Sequence, residues 1–169
     1  MADINPKDCF LQSQVADLRL IACPGAEELT NLIDKHLVRW AADAGLNEKT
    51  FIIPAECPRF QSGDAKGLVQ ESVRGDDIFI VVDPGNYSVT YKLFNYVNHM
   101  SPDDHFANLK RIIQAVAGKA HRVSVIMPSL YGGTAAWCVR ASTAPWHCRN
   151  CRAWACATSS PSTHTIPAS

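Results

Sequence analysis

The chain changes character at Thr134, and that break limits what any fold here can be built from. Residues 134–169 hold three of the four tryptophans (Trp137, Trp146, Trp154) and four of the seven cysteines (Cys138, Cys148, Cys151, Cys156). They hold no Asp, Glu, Lys, Leu or Gly. Neither the period of 2 nor that of 3.6, which a half-buried strand or helix requires, runs through them. A solvated tail is ordinarily rich in Glu, Lys, Ser or Gly, so something other than folding selects these residues. All 16 acidic residues and 13 of the 16 basic ones precede the break, which leaves −3 on the first 133 residues and +3 on the tail. The expected layout is an N-terminal extension over 1–17, a domain over 18–133 and an irregular tail over 134–169.

Within 18–133 short apolar runs alternate with amphipathic stretches. Leu18–Cys23 (LRLIAC) reads as a strand stopped by Pro24-Gly25. Residues 26–43 place Leu29, Leu32, Ile33, His36, Leu37 and Trp40 on one helical face, with Gly45 as the stop. Residues 50–53, 68–72 and 78–82 read as three further strands, the last two joined by a turn at Arg74-Gly75-Asp76. Ser101-Pro102-Asp103-Asp104 starts a helix: a hydroxyl cap, proline in the first turn, and acids at the positive end of the dipole. That helix aligns Phe106, Leu109, Ile112, Ile113 and Val116 and ends near Gly118. Residues 121–127 form a last strand, closed by Pro128 and the turn Tyr131-Gly132-Gly133. Such alternation predicts an α/β domain, a mostly parallel sheet flanked by helices.

With 16 basic and 16 acidic residues overall, no net field recruits nucleic acid or a membrane surface. No apolar run is long enough to span a bilayer. The start MADINPKDCF lacks an apolar signal core, so the expected address is the cytoplasm, where the seven cysteines are reduced thiols.

No complete catalytic constellation stands out. The Gly-rich loop ending in Gly-Lys-Ser/Thr is missing, and no Ser, His and Asp fall in a hydrolase pattern. Cys23, before Pro24, reads as a buried small hydrophobe rather than a nucleophile. Two stretches are more specific: Pro58-Arg59-Phe60-Gln61-Ser62-Gly63-Asp64, and Glu71-Ser72-Val73-Arg74-Gly75-Asp76-Asp77 before the strand IFIVV. Followed by a capped helix and RVSVIMPSLYGG, their order resembles the N-terminal domain of ribose-phosphate diphosphokinases over about residues 18–133.

The resemblance implies a partial phosphoribosyltransferase-like domain and an enzyme lineage. Its members transfer the β,γ-diphosphoryl group of ATP to the 1-hydroxyl of ribose 5-phosphate, using Mg²⁺, and commonly form homo-oligomers. In the family the turn phenylalanine stacks on adenine, and the Asp/Asn and Glu after it contact ATP from a neighbouring subunit. The matching positions are Phe60, Ser62 and Asp64. Phe60 conforms, while Ser62 neutralises and Asp64 shortens the family side chain. Read without the resemblance, Phe60 is a core aromatic before a tight turn, and Arg74 a turn residue paired with Asp76 or Asp77. Residues 83–100, longer than the usual family connection, either cover a sheet edge with Tyr87, Tyr91, Phe94 and Tyr96 or face the nucleotide. A regulatory or assembly homologue without catalysis is the alternative function.

The tail admits two readings. His147, Cys148, Cys151, Cys156 and His164 have zinc-knuckle spacing, with Trp146 and Trp154 as stacking platforms for single-stranded nucleic acid. Against this, three arginines give little electrostatic footprint. The second reading is a displaced frame, in which each true codon borrows the last base of the codon before. Several residues are then forced: Trp146-His147 gives Ala, His147-Cys148 gives Leu, Asn150-Cys151 gives Leu and Trp154-Ala155 gives Gly. With compatible synonymous codons, residues 146–169 become ALQELQGMGVRNIITFDAHDPRV, a helix, a turn and a strand ending in Asp-Ala-His-Asp, as the family pattern requires there. The cysteines then need no metal, because Leu, Met and Val codons ending in TG read one base late as Cys or Trp. The expectation is an inactive chain with a frameshifted tail and no metal site.

Overall fold

The computed structural model describes residues 16–129. A three-stranded parallel sheet of order β1-β4-β7 forms its centre, from β1 (Leu18–Ala22), β4 (Asp77–Val81) and β7 (Arg122–Ile126). The registers align Leu20 with Phe79 and Ile80 with Val125. Such strands read as unbroken apolar runs because a parallel sheet is covered on both faces. Helices α1 (Glu27–Asp43) and α2 (Pro102–Val116) supply that cover. Alternate sheet residues segregate: Ile21, Ile78 and Ile80 meet Leu109, Ile112 and Val116 of α2, whereas Leu18, Leu20 and Phe79 meet Ile33, Leu37 and Ala41 of α1. The predicted mostly parallel α/β architecture with helices on both faces is therefore the architecture observed.

Both helices end as their sequences dictate. Ser101 and Asp104 form a reciprocal capping box at the start of α2, with proline in its first turn. Past α1, Gly45 turns left-handed at φ 85° and lets Leu46 N–H reach the Ala41 carbonyl at 2.9 Å.

Three segments differ from expectation. Residues 50–53 reach the sheet only as a bridge from Ile52 to Leu20, where Leu20 N–H donates to the Phe51 carbonyl and Ile53 N–H to the Leu20 carbonyl, each at 2.8 Å. Residues 68–72 shrink to β3 (Leu68–Val69), which pairs antiparallel with β2 (Ala55–Glu56) outside the main sheet. The reason lies at Gly67, where a Cβ would stand 2.5 Å from the Arg111 carbonyl oxygen. This segment crosses α2 in direct backbone contact and cannot lie beside β4. Finally, the connection 83–100 contains a hairpin, β5 (Thr90–Leu93) and β6 (Tyr96–His99), closed by Phe94 and Asn95 at φ 46° and 67°. Two left-handed residues match the twist of a two-residue hairpin loop, and a phenylalanine there is strained. The N-terminal extension through residue 15 and the tail from residue 130 lie outside the described residues.

Candidate functional site

The ribbon β2–β3 displays residues 58–66 as a closed turn. Phe60 N–H donates to the Asp64 carbonyl at 2.7 Å, Gly63 N–H to the Phe60 carbonyl at 2.9 Å, and Arg59 bridges Ala65. Gly63 sits at φ 92°, a conformation that turns the chain there at little cost only for glycine. Phe60 is 53% exposed, which overturns its reading as a core aromatic: the turn holds the ring out to solvent. Ser62 Oγ donates to Asp64 Oδ2 at 2.9 Å, so the two polar positions face one another beside the ring.

Arg59 anchors this turn. Its Nη2 contacts Asp104 Oδ1 at 3.0 Å, its Nη1 reaches the Gly63 carbonyl at 3.4 Å, and its guanidinium lies 3.8 Å from the Tyr91 ring centroid. Asp104 cannot swing away, because Oδ2 accepts from Ser101 N–H and Oγ at 3.0 and 2.8 Å. Partial burial works against the Asp104 charge, but the Ser101 hydrogen bonds and then Arg59 outweigh it and hold the carboxyl below its usual range. The β5–β6 hairpin thus touches the candidate nucleotide turn through Tyr91.

A second polar network lies where β1 and β4 end. Asn86 donates to the Gly25 carbonyl at 2.8 Å, and the buried His105, next to Asp104 on α2, places Nε2 2.8 Å from the Asn86 carbonyl. Its Nδ1 is buried without a partner. Gly25 must be glycine: φ is 90°, and a Cβ would come within 2.6 Å of Val89. In open α/β sheets ligands bind outside the carboxyl ends of the strands, and this network braces the loops at that end. The first turn of α2 accordingly carries Asp104 toward the Phe60 turn and His105 toward the strand ends.

Of the residues singled out in the sequence, Phe60, Ser62 and Asp64 come together on one turn. Arg74 pairs with neither Asp76 nor Asp77 and instead lines a cavity of about 410 Å³ with Glu71, Ser72 and Lys119. Asp77 is taken by His121 and Arg122. Burial opposes the Asp77 charge, and the hydrogen bonds from His121 and Arg122 more than offset it, so its carboxyl is held low. Cys23 is fully buried in the α2-side core and its thiol is pushed far up by desolvation, as expected of a hydrophobe rather than a nucleophile. Asn86 and His105 were not legible as site residues, and Tyr91 was legible only as one of four aromatics in the 83–100 segment. Arg59 sits inside the quoted motif, but nothing in the sequence pairs it with Tyr91. The zinc-knuckle residues of the tail lie outside the described residues. Among the described residues no group of three or more His, Cys, Asp or Glu is placed to hold a metal.

A parallel sheet whose strand order places β4 between β1 and β7, with helices on both faces, defines an α/β domain. The family described as the N-terminal domain of ribose phosphate pyrophosphokinase matches residues 18–135. The chain belongs to that family. Its fold is also similar to that of the phosphoribosylpyrophosphate synthetase from Mycobacterium smegmatis, with a TM-score of 0.56 and 17% identity over 82% of this chain. The chain spans 39% of the length of that protein. No curated protein matches it.

Proposed function

We propose that this chain is the N-terminal part of an ATP:ribose-5-phosphate diphosphotransferase lineage, with Phe60, Ser62 and Asp64 as its nucleotide contact and a reading frame displaced after Gly133. The observation that carries the nucleotide reading is the exposed Phe60 ring on a turn braced by Arg59. An exposed ring face is a stacking surface for a base. The Asp64 carboxylate repels phosphate but accepts hydrogen bonds, so this turn suits the base and sugar end of a nucleotide. Transfer of a diphosphoryl group to the ribose 1-hydroxyl needs in-line positioning and neutralisation of developing charge, which Mg²⁺ supplies when bound. Among the described residues no cluster fits the metal, and the part proposed for them is to hold the base. ATP and ribose 5-phosphate are the proposed partners, within a homo-oligomer, in the cytoplasm. No helix among the described residues is long and apolar enough to cross a membrane.

The displaced frame rests on the forced codons at Trp146, His147, Asn150 and Trp154. In the frame the chain follows, the family's Arg-Gln and metal-binding histidine, expected within this stretch, do not occur in residues 134–169. His164, flanked by Thr163 and Thr165, is no substitute. Loss of one charge-stabilising group costs about 10²–10³ in rate, and the proposal is that this chain does not catalyse diphosphoryl transfer. Sequencing the DNA around the codons for Gly133 and Thr134, and assaying the purified chain for phosphoribosyl pyrophosphate, tests both statements. An unbroken frame with product formation overturns them.

The Ser62–Asp64 hydrogen bond favours a second reading, a regulatory or assembly homologue, because it occupies two groups the enzyme would turn to ATP. ATP binding by the chain argues for the enzyme lineage; its absence argues for the homologue.

A further inference from the structure

We infer that Arg59 is a positioning residue for the nucleotide-contact turn and that the β5–β6 hairpin takes part in the site through Tyr91; this rests on the reading of Phe60 as a base platform. The guanidinium engages three elements at once: the Gly63 carbonyl of the turn at 3.4 Å, Asp104 of the α2 cap at 3.0 Å, and the Tyr91 ring of β5 at 3.8 Å. Apart from Arg59, the hydrogen bonds of the turn close on themselves, from Phe60 to Asp64, Gly63 to Phe60 and Lys66 to Pro58. Beneath them the ribbon pairs only two residues a side, Ala55 with Val69 and Glu56 with Leu68. A two-stranded ribbon of that length is marginal by itself; its foot is held on α2 at Gly67 and by Ala55 and Val69 against the core, so the part left to pivot is the turn beyond it. Arg59 is the tether of that turn, adjacent in sequence to the ring it must aim.

Arginine suits the task where lysine does not. A planar fork donates in its plane to Asp104 and Gly63 while presenting its flat face to an aromatic ring. Asp104 is a fixed acceptor because the capping box holds its other oxygen. Tyr91 is half-buried under the guanidinium, whereas Phe94 and Tyr96 at the hairpin tip are 70% and 74% exposed. The base of the hairpin, not its tip, therefore makes the connection. A segment longer than the usual family connection is in this way built into the geometry of a motif far from it in sequence.

The test uses the full 169-residue chain, with R59K, Y91L and Y91F variants. Three quantities are read: hydrogen exchange at the Phe60 and Gly63 amides, exchange at the Leu109 and Ile112 amides of α2, and affinity for ATP with Mg²⁺. R59K and Y91L are expected to speed exchange at Phe60 and Gly63 about tenfold, the scale of a partly desolvated cation–π contact. Leu109 and Ile112 should stay unchanged, ATP affinity should fall several-fold, and Y91F, which keeps the ring, should restore both. If R59K proves unfolded, the Y91L and Y91F pair carries the test alone. Unchanged turn exchange in Y91L, or equal acceleration at Leu109 and Ile112, overturns the positioning role. Turn-specific acceleration together with no ATP binding by the unaltered chain leaves Arg59 as the tether and overturns the nucleotide reading instead.

Discussion

Helices α1 and α2 cover opposite faces of one small sheet, with similar length and similar alternation, yet they use their apolar stripes differently. On α2 the residues Phe106, Leu109, Ile112, Ile113 and Val116 are all buried, and they meet the isoleucines of β1 and β4 in a continuous core. On α1 only Thr30 and Ala41 are fully buried; Ile33, Leu37 and Val38 pack partly, and Leu32 and Trp40 stay 51% and 42% exposed. The difference follows from what lies opposite. α2 faces the broad centre of the sheet, and its other flank is closed by the backbone at Gly67. α1 faces β1, the single bridge at Ile52 and one residue of β4, Phe79. Helical periodicity specifies an apolar stripe, and the width of the opposing surface decides how much of it is removed from water.

Ile112→Ala breaks the comparison where it should cost most. Its side chain is fully buried among Ile78, Ile80 and Leu109, and such a truncation costs about 2–5 kcal/mol, the spread reflecting how far the cavity collapses. Urea unfolding of the chain should show a midpoint lowered by that cost divided by the slope, with the slope itself unchanged. A cost below about 1 kcal/mol would mean that the α2 face is no better packed than the α1 face.

Ser101→Ala makes α2 resemble α1, whose N-cap position, Ala26, makes no side-chain cap. The expected cost is about 1 kcal/mol, and exchange should accelerate in the first turn of α2. Because Asp104 would lose its Ser101 hydroxyl partner, Arg59 should loosen in the same variant.

Acid should weaken the fold through two carboxylates, one in the cap of α2 and one at the start of β4. Asp104 and Asp77 have carboxyls held below their ordinary values in the folded state, by Ser101 and Arg59 and by His121 and Arg122, despite the opposing effect of burial. A depressed folded value contributes stability that is present above the unfolded value, about 3.9, and is lost as pH falls through the folded one. The urea midpoint should therefore decline below about pH 4, with a shallower decline in Asp104→Asn. An identical decline in that variant would remove Asp104 from the account.

The same contrast explains what was legible in the sequence. LRLIA and DIFIV were readable because parallel strands covered on both faces are apolar runs, and the α2 start because Ser-Pro-Asp-Asp is a cap in residues adjacent in the chain. The hairpin was not readable: TYKL and YVNH mix polar and apolar residues on two exposed faces, and Phe94-Asn95 lacks the glycine that announces such a turn. The site divides likewise. The Phe60 turn is local and carries its own motif, whereas the Arg59–Asp104 contact joins residues 45 positions apart and depends on the fold already being formed.

Leu32→Ser carries the smallest expected effect. Periodicity alone ranks Leu32 with Leu29 and Ile33 as a core position, and a core leucine replaced by serine would lose several kcal/mol. The structure leaves half of its surface in water and places it outside both clusters of buried residues. Substitutions at such sites usually change stability by no more than about 0.5 kcal/mol, so the urea midpoint should match that of the unaltered chain. A loss of about 2 kcal/mol or more would show that Leu32 is covered in solution. The exposed stripe of α1 would then have to meet either residues outside 16–129 or a second copy of the chain. A midpoint that rises with protein concentration would single out the second copy, since association stabilises only the folded form.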